Sequence, residues 1–139
     1  MSLGKAVLSE AKDRRYIDRL MIPGAKVYYK KSTRFTFFSR YNGPLHLTDI
    51  TKSTISIPEK LEMPSKTDLE LKIVFPEENL LNMKGIISGF EPDPQGHWIK
   101  TIIQFNPYGH GKKYNSFRSK KRLDRVLSYY HQHNNNKPE

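Results

Sequence analysis

The chain has no cysteine in 139 residues. That excludes a disulfide framework, a thiolate nucleophile and a cysteine-based zinc site, and it fits a reducing compartment. Long apolar runs are also missing, for none approaches the ~18 residues that a spanning helix needs. The opening Met1-Ser2-Leu3-Gly4-Lys5 has no apolar signal-peptide core, so nothing there marks export, and a cytoplasmic protein with no membrane insertion is expected. There is no internal repeat and no Gly-x-Ser-x-Gly elbow, and no two acids are set by spacing for acid–base work. The expectation is therefore a binding protein and not an enzyme. Acidic residues are scarce, with 14 Asp and Glu against 24 Lys and Arg, a net charge of +10. A domain this basic attracts anions.

What is present indicates one small β-rich domain. Hydrophobic residues make up 36%, and 12% of the chain is aromatic, which recovers part of the missing apolar area. The cleanest alternation is Leu69, Leu71, Ile73 and Phe75 against Glu70, Lys72 and Val74, a strand with one buried face. Further strands are expected over Ala25–Tyr29, around Phe35 and Phe37, from Leu45 through Ile50, over Thr54–Ile57, over Met83–Phe90, and along Ile99, Thr101, Ile103 and Phe105. Asn42-Gly43-Pro44 should break the chain, and Pro92–Gly96 reads as a hairpin loop. The period then changes. Leu123, Val126, Leu127 and Tyr130 form the stripe of a helix near 117–131, with Ser116 or Ser119 as its cap. The expected fold is mainly β: a small six- or seven-stranded antiparallel barrel with a C-terminal helix and a flexible basic N-terminal arm. The arm spans 1–13, the barrel and helix 14–131, and a disordered polar tail 132–139.

Several features have weak chemical readings. Gly109-His110-Gly111-Lys112-Lys113 lacks the glycine spacing and following hydroxyl of a phosphate loop and reads as a solvated loop. His131 and His133 sit on a polar tail and read as a surface pair, with no metal expected. Phe35, Phe37 and Phe38 beside Arg34 and Arg40 suit either a stacking surface for single-stranded nucleic acid or a core face. The alternation favours the core face, and nucleic acid is not the expected partner.

Two stretches stand out as a pair. Arg14-Arg15-Tyr16-Ile17-Asp18-Arg19 contains R-x-x-x-R from Arg15 to Arg19, with Arg14 just before it. Asp49-Ile50-Thr51-Lys52-Ser53-Thr54 resembles the pattern D/N-x-S-x-x-G. In this order, with strands after the first and on both sides of the second, they resemble a PilZ domain, over about 14–131. That resemblance implies a β-barrel that binds cyclic di-GMP, a bacterial second messenger. By it, Arg15 and Arg19 are the arginines of an arm that in the switch takes in residues 1–19, Arg14 adds a further stacking or phosphate contact, and Asp49 and Thr51 are the polar pair on the barrel. The chemistry agrees: guanidinium groups bind phosphate or guanine O6 and N7 in pairs, and a carboxylate accepts from guanine N1–H and N2–H₂. Thr54 stands where the family has glycine. Either the backbone there is extended and the ligand still fits, or the pocket is partly closed. Further implied are an order–disorder switch in the arm, no cofactor beyond the ligand, and a protein partner that is not identified. With no output domain attached, the chain is expected to act as a stand-alone receptor or adaptor. Two alternatives remain: a PilZ-like adaptor without ligand binding, and a basic barrel for single-stranded nucleic acid.

Overall fold

A computed structural model describes residues 19–33, 40–77, 79–92 and 94–136. Seven antiparallel strands form one sheet curled into a half-barrel, with a C-terminal helix packed on it. The strands are β1 (Lys26–Lys31), β2 (Asn42–His46), β3 (Asp49–Ile50), β4 (Thr54–Ile57), β5 (Asp68–Val74), β6 (Leu80–Pro92) and β7 (Ile99–Phe105). The helix is α1 (Phe117–Asn136). The order across the sheet is β2-β1-β5-β6-β7-β4-β3. β2 and β3 are thus the two edges, and the ladder does not close between them.

The alternation in β5 works as the sequence indicates. Leu69, Leu71, Ile73 and the following Phe75 are at most 1% exposed. β5 is paired along its whole length, to β1 on one side and β6 on the other. The inward residues of β4 and β7, including Ile55, Ile57 and Ile103, complete the same core. Thr101 sits in that row with no exposed surface. Its hydroxyl donates to the Glu59 carbonyl at 2.6 Å and accepts the Leu61 N–H at 3.0 Å, so it ties the 58–61 segment to the barrel. Thr101→Val keeps the shape and orphans both groups. It should cost about 2 kcal/mol in urea unfolding, whereas Thr101→Ser should cost less.

Three differences from the sequence reading have physical causes. Asn42-Gly43-Pro44 does not break the chain but forms the first half of β2. An edge strand tolerates a proline, whose missing N–H can face away from the ladder. Gly43 has φ +119°, and an added Cβ would come within 2.8 Å of the Val27 carbonyl. The register of β1 against β2 shifts at this point. Second, the helix continues to Asn136, so 132–136 is helical where a disordered tail was expected. His133 Nδ1 lies 2.8 Å from the Tyr129 carbonyl, and its ring packs on Tyr129 at 3.9 Å between centroids. These contacts support a final segment that lacks an apolar stripe. Third, Ile99, expected to face inward, is 40% exposed at the sheet rim. The strand expected around Phe35 and Phe37, the arm at 1–13, and Arg14, Arg15, Arg34 and Phe38 lie outside the described residues.

The helix seats its stripe as expected. Leu123 is fully buried, Leu127 is 9% exposed, and Val126 and Tyr130 pack beside them. Ser116 is the cap, its Oγ accepting the Ser119 N–H at 3.0 Å. The Tyr130 ring meets Phe75 at 6.0 Å between centroids, and its hydroxyl donates to Glu77. Burial, and then the hydrogen bond and charge of Glu77, push that hydroxyl far above its ordinary range, so it remains a proton donor. Among the described residues no helix is long and apolar enough to cross a membrane.

Candidate functional site

The two halves of the sequence motif meet at the β3 edge. Leu20 and Ile50 exchange both backbone hydrogen bonds at 2.9 Å, as an isolated antiparallel bridge. Both side chains are buried, so this bridge points inward. Side chains alternate across the pleat, so the residues on either side of the bridge face outward. Arg19 therefore lies opposite Thr51, and Met21 opposite Asp49. The arm is held to the barrel at the residue after its last arginine.

The outward rows continue across β4 and β7. Asp49 pairs with Ser56 and Ser56 with Ile102, while Thr54 pairs with Gln104. These strands bound a pocket of 390 Å³ on the face away from the core. Arg19, Asp49, Thr51 and Thr54 all line it. Four of the six residues singled out in the sequence are thus brought together. Arg14 and Arg15 fall outside the described residues.

Asp49 is the most informative member. It is 6% exposed, and no hydrogen bond or ion pair engages its carboxylate among the described residues. Asp49 does not close the turn by bonding its own backbone; Thr51 does. Thr51 Oγ1 accepts the N–H of Ser53 at 3.1 Å and of Thr54 at 3.0 Å, closing the tight turn between β3 and β4. It also shares a 3.0 Å hydroxyl contact with Thr54 Oγ1. The Thr51 oxygen is therefore largely occupied, and its position is fixed.

The question raised by Thr54 has a geometric answer. Thr54 is the first residue of β4 and lies in its ladder. Among the described non-glycine residues, only Lys66 has positive φ. The backbone at 54 is extended and does not require glycine. What remains is a side chain on the pocket wall.

Sequence reasoning missed the far wall, formed by Lys100 and Glu91. They are cross-strand neighbours and make an ion pair at 3.7 Å, with the Lys100 side chain only 16% exposed. Lys100 was legible from alternation, since Thr101 and Ile103 face inward. Glu91 was not. Ile87 faces the core, and by simple period two Glu91 would too. A bulge in β6 between Ile87 and Gly89 adds one residue and turns Glu91 to the outer face. With Lys52, the described lining holds three cations and two carboxylates. Such a wall suits a ligand carrying both negative charge and hydrogen-bond donors.

No family model matches this chain, and no curated protein matches it. Among solved structures it resembles the inhibitor of motility MotI/DgrA of Bacillus subtilis, with a TM-score of 0.57 and 16% identity. The match covers 82% of this chain and 48% of that one, so the chain spans about half the length of the protein it resembles. At this identity the likeness is one of fold.

Proposed function

We propose that this chain is a PilZ-type receptor or adaptor that binds cyclic di-GMP in the pocket at the β3–β4–β7 face and passes the signal to a protein partner in the cytoplasm. The observation that carries the reading is the convergence of Arg19, Asp49, Thr51 and Thr54, from two separate stretches, on one pocket. The fold likeness to MotI/DgrA supports it at the level of architecture. In this reading Asp49 accepts from guanine N1–H and N2–H₂, which supply the donors that its carboxylate lacks. Arg19, with Arg14 and Arg15 upstream, takes phosphate or guanine O6 and N7. The ligand joins the arginine arm to the barrel, and the joined surface is what a partner reads. The chain is a binding module with no catalytic residue, and cyclic di-GMP is a ligand, with no separate cofactor.

Titration calorimetry with cyclic di-GMP tests this. Wild type should give a saturable heat at ligand concentrations on the order of tens of micromolar, and Arg15→Ala and Arg19→Ala should each weaken binding about tenfold or more. A second reading, a PilZ-like adaptor that does not bind the ligand, has one observation in its favour: Thr51 already spends its oxygen on the turn. No heat from wild type would establish that reading instead. Thr54→Gly is expected to change affinity less than about threefold, because the backbone is already extended, and to lower stability by about 1 kcal/mol through a weaker strand and a lost hydroxyl contact. A gain well above tenfold would show that the Thr54 side chain obstructs the pocket.

A further inference from the structure

The start of β6 and one flank of α1 enclose a second concavity, of 520 Å³. It lies at the opposite end of β6 from Glu91. β6 is thirteen residues long, so the two sites are separated by roughly 35–40 Å of extended strand. The floor is apolar: Leu80, Leu81, Val126 and the Tyr130 ring. Leu80 is 41% exposed and Tyr129, on the wall, 43%. Tyr130 is held by Glu77 and Phe75, and Tyr129 by the His133 ring, tilted 30° from it. The aromatic walls are therefore set before anything binds.

The rim carries uncompensated charge. Arg122 and Arg125 line the groove, one helical turn apart and exposed. Neither has a carboxylate partner among the described residues. Arg118 and Lys121 extend the same stripe, and Asp124 is the only acid on the helix. No described acidic residue lines the groove. Exposed aliphatic and tyrosine surface flanked by arginines is the composition of a protein-binding hot spot.

We propose that this groove docks an acidic, amphipathic segment of a protein partner, with one apolar side chain seated on Leu80, Val126 and Tyr130 and flanking Asp or Glu residues paired with Arg122 and Arg125. The charge of the rim selects the carboxylates, and the apolar floor selects the anchor. A lipid surface is flat and leaves such a floor unfilled. A nucleic acid needs free ring faces, and His133 already covers one face of Tyr129. The docking does not depend on cyclic di-GMP, because the two sites share only β6.

The test is fluorescence anisotropy with a labelled glutamate-rich peptide carrying one central phenylalanine, and with the same peptide carrying asparagine instead. Oligo-deoxythymidine and phosphatidylglycerol vesicles serve as competing polyanions. The phenylalanine peptide should bind about tenfold tighter or more than its asparagine counterpart. Arg125→Glu and Leu80→Asn should each weaken it about tenfold or more, with far-UV circular dichroism unchanged at these exposed positions. Equal binding of the two peptides would reduce the groove to a charged patch and overturn the proposal. So would the absence of saturable binding by either peptide, or tighter binding of the oligonucleotide or vesicles that still requires Leu80. Because the readout contains no cyclic di-GMP, failure of the ligand reading leaves this result intact, and the converse also holds.

Discussion

Asp49→Ala is expected to abolish cyclic di-GMP binding while making the ligand-free protein more stable. The two effects have one cause. Asp49 is 6% exposed on the pocket wall, and its carboxylate has no donor among the described residues. A charge in such a place costs free energy unless it is paired. Its removal should stabilise the free protein by about 1 kcal/mol, read from urea unfolding without ligand. With ligand present the balance reverses. Guanine N–H groups are the missing donors, and removing one side of a buried, charge-assisted pair costs about 2–5 kcal/mol. That corresponds to a loss of roughly thirtyfold to several thousandfold in affinity by calorimetry. Asp49→Asn keeps one acceptor oxygen and should fall between the two, losing about tenfold. A structural role for the carboxylate would give the opposite signature, with Asp49→Ala losing about 2 kcal/mol of stability and binding falling only in proportion to unfolding. Thr51 makes that outcome unexpected, for it already satisfies the turn that Asp49 would otherwise close.

The same contrast shows what a sequence discloses about this fold. Leu69, Leu71, Ile73 and Phe75 alternate in the chain because β5 is flanked by strands on both sides and has one face on the core. Leu123, Val126, Leu127 and Tyr130 recur at helical spacing because α1 meets the sheet along one stripe. Periodicity reports burial, and burial was legible. Arg19, Asp49, Thr51 and Thr54 were legible for a different reason, since they resemble a known spacing. Lys100 followed from alternation only once β7 was placed beside β4. Glu91 was hidden because a one-residue bulge reverses its face, and the only mark the bulge leaves in the sequence is Gly89 inside the strand. Asn42-Gly43-Pro44 misled for a related reason: residues that break an interior strand are tolerated at an edge, and edge or interior is a property of topology. The last turn of α1 depends on His133 against Tyr129, a contact that exists only after the helix has formed.

Asn115 gives the largest stability effect expected from a single polar side chain. It is 3% exposed and sits where β6 runs past the end of β7. There the backbone of Lys84 would lack a full set of partners. Asn115 supplies them: Oδ1 accepts the Lys84 N–H at 2.7 Å, and Nδ2 donates to the carbonyls of Lys84 and Asn106, both at 2.9 Å. Its own N–H donates to the Pro107 carbonyl at 2.8 Å, and its carbonyl accepts the Gly109 N–H at 3.0 Å. One amide thus joins the 106–115 loop to the barrel. The next residue, Ser116, caps α1. Asn115→Ala would leave the Lys84 N–H unmet and remove the side-chain bonds to the Asn106 and Lys84 carbonyls, the second of which keeps the Asn106 N–H at 2.9 Å, at about 1–3 kcal/mol for each group left without a partner. A loss of about 3–4 kcal/mol in urea unfolding is expected. Asn115→Asp should be worse, although it is nearly isosteric. One carboxylate oxygen still accepts from Lys84, but the other then faces two carbonyl oxygens with no proton between them. Amide exchange at Lys84 should accelerate in the alanine variant, and in the aspartate variant the loss should shrink as pH falls and the carboxyl regains a proton to donate. An aspartate variant as stable as wild type at neutral pH would mean that the amide donors contribute nothing and that packing alone holds the loop.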